Sequence, residues 1–123
     1  MELVYKSSTI RKTCESLKGA KKFFNGDINL SISLLARINA LEEADTLKDI
    51  VVQRQFRFHK LKNKNGKDYE GYFAIDVKTS KQPWRLILEP LDENKEPFNP
   101  CDIDKIASNV RIVGIKEVSN HYA

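Results

Sequence analysis

The chain has 123 residues, 41% of them hydrophobic and 31% charged, with a net charge of +4. That length suits a single domain over residues 1–123 that closes a core without metal or disulfide help, and the composition is too apolar for a disordered chain. No apolar run reaches the length of a membrane span, and residues 1–5 lack the pattern of a secretory signal, so a cytoplasmic protein is expected.

Residues 3–5 are predicted as a first strand. Ser7 or Ser8 is placed to cap a following helix, because a serine oxygen accepts from an orphan first-turn N–H. Ile10, Cys14 and Leu17 recur at helical spacing, and Lys18, Lys21 and Lys22 fall mostly on the wet face. Gly19 reads as a tolerated helical glycine, and Asn25-Gly26 stops the helix near Phe24. A second helix starts near Asp27 or Asn29 and runs to about Ala44, with Leu34, Leu35, Ile38 and Leu41 as its apolar stripe. Residues 46–52 form a connector with room for one helical turn.

After Gln53 the period changes from helical to alternating. Phe56 and Phe58 point one way, Arg57 and His59 the other. Asn65-Gly66 is a hairpin signal. The next strand covers residues 71–78, with Phe73, Ile75 and Val77 on one side. Another covers residues 84–89, where Trp84, Leu86 and Leu88 alternate with Arg85, Ile87 and Glu89. Residues 90–100 read as a polar loop, Asp102 as the cap of a short helix over 104–108, and residues 110–118 as the last strand. The implied class is α+β: two N-terminal helices packed on one face of a mostly antiparallel sheet of about five strands. The other face is expected to be open to solvent or a ligand.

Cys14 and Cys101 stand far apart without a partner motif and are expected as free thiols. There is no cysteine–histidine spacing for zinc, and no metal or cofactor is expected.

Charge is unevenly placed. Residues 54–67 carry Arg54, Arg57, Lys60, Lys62, Lys64 and Lys67 with no acidic residue. Interleaved with Phe56, Phe58 and His59, these cations suit a track for a nucleic-acid backbone, against the plainer reading of a solvated hairpin. His59 can move a proton near neutral pH, and Lys62 beside it can neutralise phosphate charge. Trp84 reads first as core. Arg85, on the opposite parity, is suited to hold phosphorane charge; the plainer reading pairs it with Asp76 or Glu89 at the surface. At the C-terminus, His121 and Tyr122 either fray or are held over the sheet face.

The segments Lys18-Gly19-Ala20-Lys21-Lys22-Phe23-Phe24, Phe58-His59-Lys60-Leu61-Lys62, Glu70-Gly71-Tyr72-Phe73-Ala74-Ile75, Trp84-Arg85-Leu86-Ile87 and His121-Tyr122 follow one another in an order that resembles HigB-like toxins. These belong to the RelE/ParE superfamily of toxin–antitoxin systems, and the resemblance covers nearly the whole chain. It implies a RelE/ParE-like fold and a metal-independent endoribonuclease that cuts messenger RNA on the ribosome, leaving a 2′,3′-cyclic phosphate. It also implies a helix-turn-helix, HigA-like antitoxin as partner, with operator DNA bound only through the toxin–antitoxin complex. Carried over, His59 matches the family's His-x-Leu-Lys histidine, Lys62 its lysine, and Arg85 the arginine after the strand tryptophan. His121 and Tyr122 approximate the terminal Asp-Tyr-His. Lys60 stands where a proline is usual, the turn over residues 63–68 is longer than the family's, and residues 91–109 are an insertion. Two alternatives stand beside this reading. One is a non-nuclease toxin of the same fold that poisons DNA gyrase through Phe56, Trp84 and the helical hairpin; the other is a non-catalytic RNA- or ribosome-binding protein.

Overall fold

The computed structural model describes residues 1–62 and 69–120. The Asn65-Gly66 turn, Lys64, Lys67, His121 and Tyr122 lie outside the described residues.

The chain opens with β1 (Glu2–Tyr5), and Ser7 ends it by capping α1 (Ser8–Glu15). Ser7 Oγ accepts from the Ile10 N–H at 3.2 Å. The single helix expected up to Phe24 is in fact two. Ser16 adopts an extended backbone (φ −150°, ψ 155°), which ends α1, and its Oγ accepts from Gly19 N–H at 3.0 Å, which starts α2 (Leu17–Phe23). Gly19 is required by contact rather than tolerated. A Cβ there would lie 1.8 Å from the Lys12 carbonyl oxygen, so α2 crosses α1 closer than any other residue allows. Asn25 and Gly26, both left-handed, turn the chain into α3 (Ile28–Glu43), capped by Asp27 Oδ1 on the Leu30 N–H at 3.1 Å. The connector holds α4 (Lys48–Val51).

The sheet contains β2 (His59–Lys60), β3 (Phe73–Asp76), β4 (Arg85–Leu91) and β5 (Ile112–Ser119), in the order β1-β5-β4-β3-β2. β1 runs parallel to β5 and the other pairings are antiparallel. Between β4 and β5 come α5 (Ile103–Ile106) and a 3-10 turn, Ala107–Asn109. The fold is thus α+β with a mixed sheet. Asp102 precedes α5 as expected, but its side chain makes no capping hydrogen bond.

Leu34, Ile38, Leu41, Leu47 and Ile50 from the helices meet Ile75, Val77, Leu86, Leu88, Val113 and Ile115 on one face of the sheet. Each fully buried leucine in this core is worth about 2 kcal/mol. Phe23 and Phe24 meet Trp84 edge-on at 5.5 and 5.2 Å. The expected parity of β3 and β4 therefore holds.

The open second face does not. β4 is buried along its whole length: Arg85 is 5% exposed, Ile87 0% and Glu89 6%. Leu61, Tyr69 and Tyr72 pack over Ala74 and Ile87, so the segments flanking residues 63–68 close over that face. This cover is a long-range contact that strand periodicity does not encode.

The alternating strand expected from Gln53 onward is also shorter than its pattern. Arg54–Phe56 is a 3-10 turn, and Arg57 sits in the left-handed region (φ 47°, ψ 50°), which delays the ladder until His59. Parity survives the interruption: Phe56 enters the core, and Phe58 stacks on Phe73 at 4.9 Å.

Candidate functional site

The strand register lines up the second face in rows. His59 stands opposite Ala74, Ala74 opposite Ile87, and Ile87 opposite Glu117. One step along, Asp76 stands opposite Arg85, and Arg85 opposite Ser119. Arg57 joins this second row through its side chain. Its Nε donates to both Asp76 oxygens, at 3.1 and 3.0 Å. A polar row therefore crosses β3, β4 and β5 through Asp76, Arg85 and Ser119, with Arg57 reaching in from before β2.

Arg85 is held on every side. Its Nη1 donates to the carbonyls of Gln82 and Trp84, the latter at 2.9 Å, and its Nη2 to that of Ser80 at 3.3 Å. Its Nε lies 3.1 Å from Asp76 Oδ1 but points off the line of a hydrogen bond, so that contact is ionic. Arg85 thus ties the turn before β4 to β3, and it does not project onto an open face. The pairing with Asp76 read from the sequence is present, buried rather than at the surface.

A third guanidinium completes the group. Arg37, on α3, donates from Nε to the Asp76 carbonyl at 2.9 Å and from Nη2 to the carbonyls of Gln55 and Lys78. Its Cζ lies over the Phe56 ring, 4.7 Å from the ring centroid. Burial pushes its pKa down from the usual value, and the Asp76 charge opposes that shift. Two guanidinium groups thus contact the Asp76 carboxylate and a third its backbone carbonyl, leaving excess positive charge at this end of the sheet.

His59 is tied to the same group. Its Nδ1 lies 2.7 Å from the Arg57 carbonyl oxygen. A carbonyl only accepts, so Nδ1 carries the proton and Nε2 the lone pair of the neutral ring.

The other predicted residues are more scattered. Arg54 is exposed at the start of the 3-10 turn. Lys60 and Lys62 are exposed on the opposite parity from His59 and share a surface hollow with Leu61 and Glu70. Lys62 is thus not brought to Arg57 and Arg85. A groove of about 490 Å³ runs beside β2, with Phe58, His59, Lys60 and Phe73 on one side and residues 100–104 on the other. The 91–109 insertion supplies that second wall. Its Cys101 thiol is pushed up from its usual pKa by burial, against the pull of Lys60. Both cysteines are free.

Arg37 was not singled out from the sequence, and Asp76 was read only as a surface partner of Arg85. Asp76 had a signal: an acid on the outward parity of a strand flanked by Ile75 and Val77. Arg37 interrupts the apolar stripe of α3 between Leu34 and Ile38, a weaker sign. A second polar group, further along the same face, was also missed. Lys6 Nζ lies 2.8 Å from the buried Glu89 carboxylate and crosses above Gly114, while Lys116 stands 4.3 Å over the Tyr72 ring. Burial, and then the Glu89 charge, push the Tyr72 phenol up.

Among the described residues no cluster of three or more His, Cys, Asp or Glu gathers as metal ligands, and no helix is long and apolar enough to cross a membrane. Comparison of the chain with protein-family models, curated proteins and solved structures returns no match.

Proposed function

We propose that this chain is the toxin of a type II toxin–antitoxin pair, HigB-like within the RelE/ParE superfamily. On this reading it is a metal-independent endoribonuclease acting on messenger RNA at the translating ribosome. One observation carries the reading: Arg57, His59 and Arg85 share one sheet face, at the end where β5 leads toward His121 and Tyr122. RNA cleavage of this kind needs a base for the 2′-hydroxyl, a cation for the phosphorane, and an acid for the leaving 5′-oxygen. The 2′-oxygen forms the new P–O bond as the P–O5′ bond breaks. His59 and His121 are assigned to the protons. Arg54, Lys60 and Lys62, with Lys64 and Lys67, are assigned to positioning the RNA backbone. The partner is a helix-turn-helix antitoxin, through which alone operator DNA is bound.

The test is induction of wild type and His59→Gln in a bacterial host, with transcript ends mapped. Wild type should stop growth and leave 2′,3′-cyclic phosphate ends. A His59→Gln protein with unchanged melting should do neither. Equal cleavage by that folded variant would remove His59 from the reaction. DNA damage without transcript cleavage would select gyrase poisoning.

One observation favours the non-catalytic alternative: the Arg85 guanidinium is fully engaged by Asp76 and three backbone carbonyls. Wild type that sediments with ribosomes but cuts no transcript would select it.

A further inference from the structure

We propose that Arg57, rather than Arg85, is the cation that meets the RNA phosphate on this face. This rests on the reading of the face as an RNA site. Three guanidinium groups contact Asp76, two at its carboxylate and Arg37 at its backbone carbonyl, and they differ in what they can still reach. Arg85 is 6% exposed in its side chain and directs both terminal nitrogens at backbone carbonyls. Arg37 spends its Nε on the Asp76 carbonyl and its Nη2 on those of Gln55 and Lys78, and its guanidinium stacks on Phe56. Arg57 is 40% exposed in its side chain and is gripped only through Nε. Among the described residues its two terminal nitrogens make no hydrogen bond. A guanidinium held at Nε presents its outer N–H pair as a fork, the geometry that grips two oxygens of one phosphate.

A second observation points to the same residue. Arg57 adopts φ 47°, a conformation that L side chains rarely take and that glycine or asparagine would adopt more cheaply. Strain of this kind persists where surrounding structure enforces it, and it collects at working sites. Here it aims the side chain at Asp76 and turns the Arg57 carbonyl to the His59 ring at 2.7 Å. One residue thus orients the imidazole with its backbone and offers a phosphate fork with its side chain. The surrounding charges favour an anion: Arg37, Arg57 and Arg85 outnumber Asp76 at this end of the sheet.

Arg57→Gly removes the cation, suits the left-handed backbone, and leaves Asp76 paired with Arg85. Arg57→Lys keeps the charge on the strained backbone. Full-length proteins are titrated across salt with a single-stranded 2′-O-methyl RNA of about 12 nucleotides, which has no 2′-hydroxyl to react. Arg57→Gly should weaken binding about tenfold and lower the slope of log K against log salt by about 0.7, one phosphate's share. Arg57→Lys should keep the slope and lose less than about threefold in affinity. If the glycine variant melts early, Arg57→Gln against Arg57→Lys gives the same comparison at equal backbone strain. Unchanged affinity and slope without the cation overturn the proposal, as does wild type that fails to bind the RNA. Binding that depends on Arg57, with no cleavage by wild type, overturns the nuclease and leaves this assignment standing. Cleavage that is undiminished in Arg57→Gly does the reverse.

Discussion

Arg85 Nε stands 3.1 Å from Asp76 Oδ1, and both side chains are almost sealed from solvent. A buried pair of this kind adds little net stability over an apolar pair of the same shape, yet it is costly to break from one side. The partner left behind keeps its charge and loses the group that balanced it.

Asp76→Ala should therefore destabilise the fold by about 3–5 kcal/mol, because it strands Arg85 and also releases Arg57. Arg57→Ala should cost only about 0.5–1 kcal/mol, since its pair is partly solvated and Asp76 keeps Arg85. Urea unfolding of the two variants beside wild type measures the gap. Equal losses would mean that Asp76 is held chiefly by Arg57.

Two glycines predict unequal sensitivities. A Cβ on Gly19 meets the Lys12 carbonyl oxygen at 1.8 Å, and backbone cannot step aside. Gly19→Ala should lower stability by about 1–3 kcal/mol, where alanine in an ordinary helix would raise it. A Cβ on Gly114 meets the Lys6 Cε at 2.8 Å, the far end of a flexible chain. Gly114→Ala should displace Lys6 from Glu89 at a cost of about 1 kcal/mol or less. Thermal melts of both variants decide the matter; a milder loss at Gly19 than at Gly114 would contradict it.

Burial pushes the Cys14 thiol up to about 12, with the Glu15 charge adding to the shift. Burial, then the neighbouring Cys14 and Glu42, push the Tyr5 phenol to about 12 as well. Both groups hold their protons more tightly in the fold than in the unfolded chain. Their contribution to stability is therefore complete below the unfolded thiol value of about 9 and is lost as pH climbs toward 12. Denaturant midpoints should fall over that alkaline range, and the fall should be shallower in Cys14→Ala and in Tyr5→Phe. An unaltered slope in both would remove these groups from the alkaline transition.

What was legible in the sequence was local. The Asp27 cap and the Leu34–Ile38–Leu41 stripe define α3 without help from the rest of the chain, and the alternation of Phe73, Ile75 and Val77 assigns the core face of β3. Parity also put Arg57 on the side of His59 and Arg85 on the face away from Trp84, while the expected company of Lys62 with His59 and Arg85 did not follow. The break at Ser16 was not legible, because it depends on how closely α2 approaches the Lys12 carbonyl, and residues 15–20 are compatible with a continuous helix. The burial of Arg85 was hidden for a related reason. Leu61, Tyr69 and Tyr72 are polar-flanked residues of a loop segment, and nothing in their own spacing says that they fold back over Ile87. A side chain's parity is a local property, whereas its exposure depends on segments far away in the chain.

The pairing of β1 with β5 has a kinetic consequence. Leu3 lies against Val113 and Tyr5 against Ile115, so β1 finds its neighbour among the described strands at a segment far along the chain. The helices α1 to α3 can form early from local contacts, but the sheet edge beneath them depends on a pairing between segments far apart in sequence. Contacts of such separation slow folding, since the loop between them has to be closed before any of its contacts form. Until β5 docks, β1 lacks this partner, and during that interval the folding chain is most open to a chaperone or to misassociation.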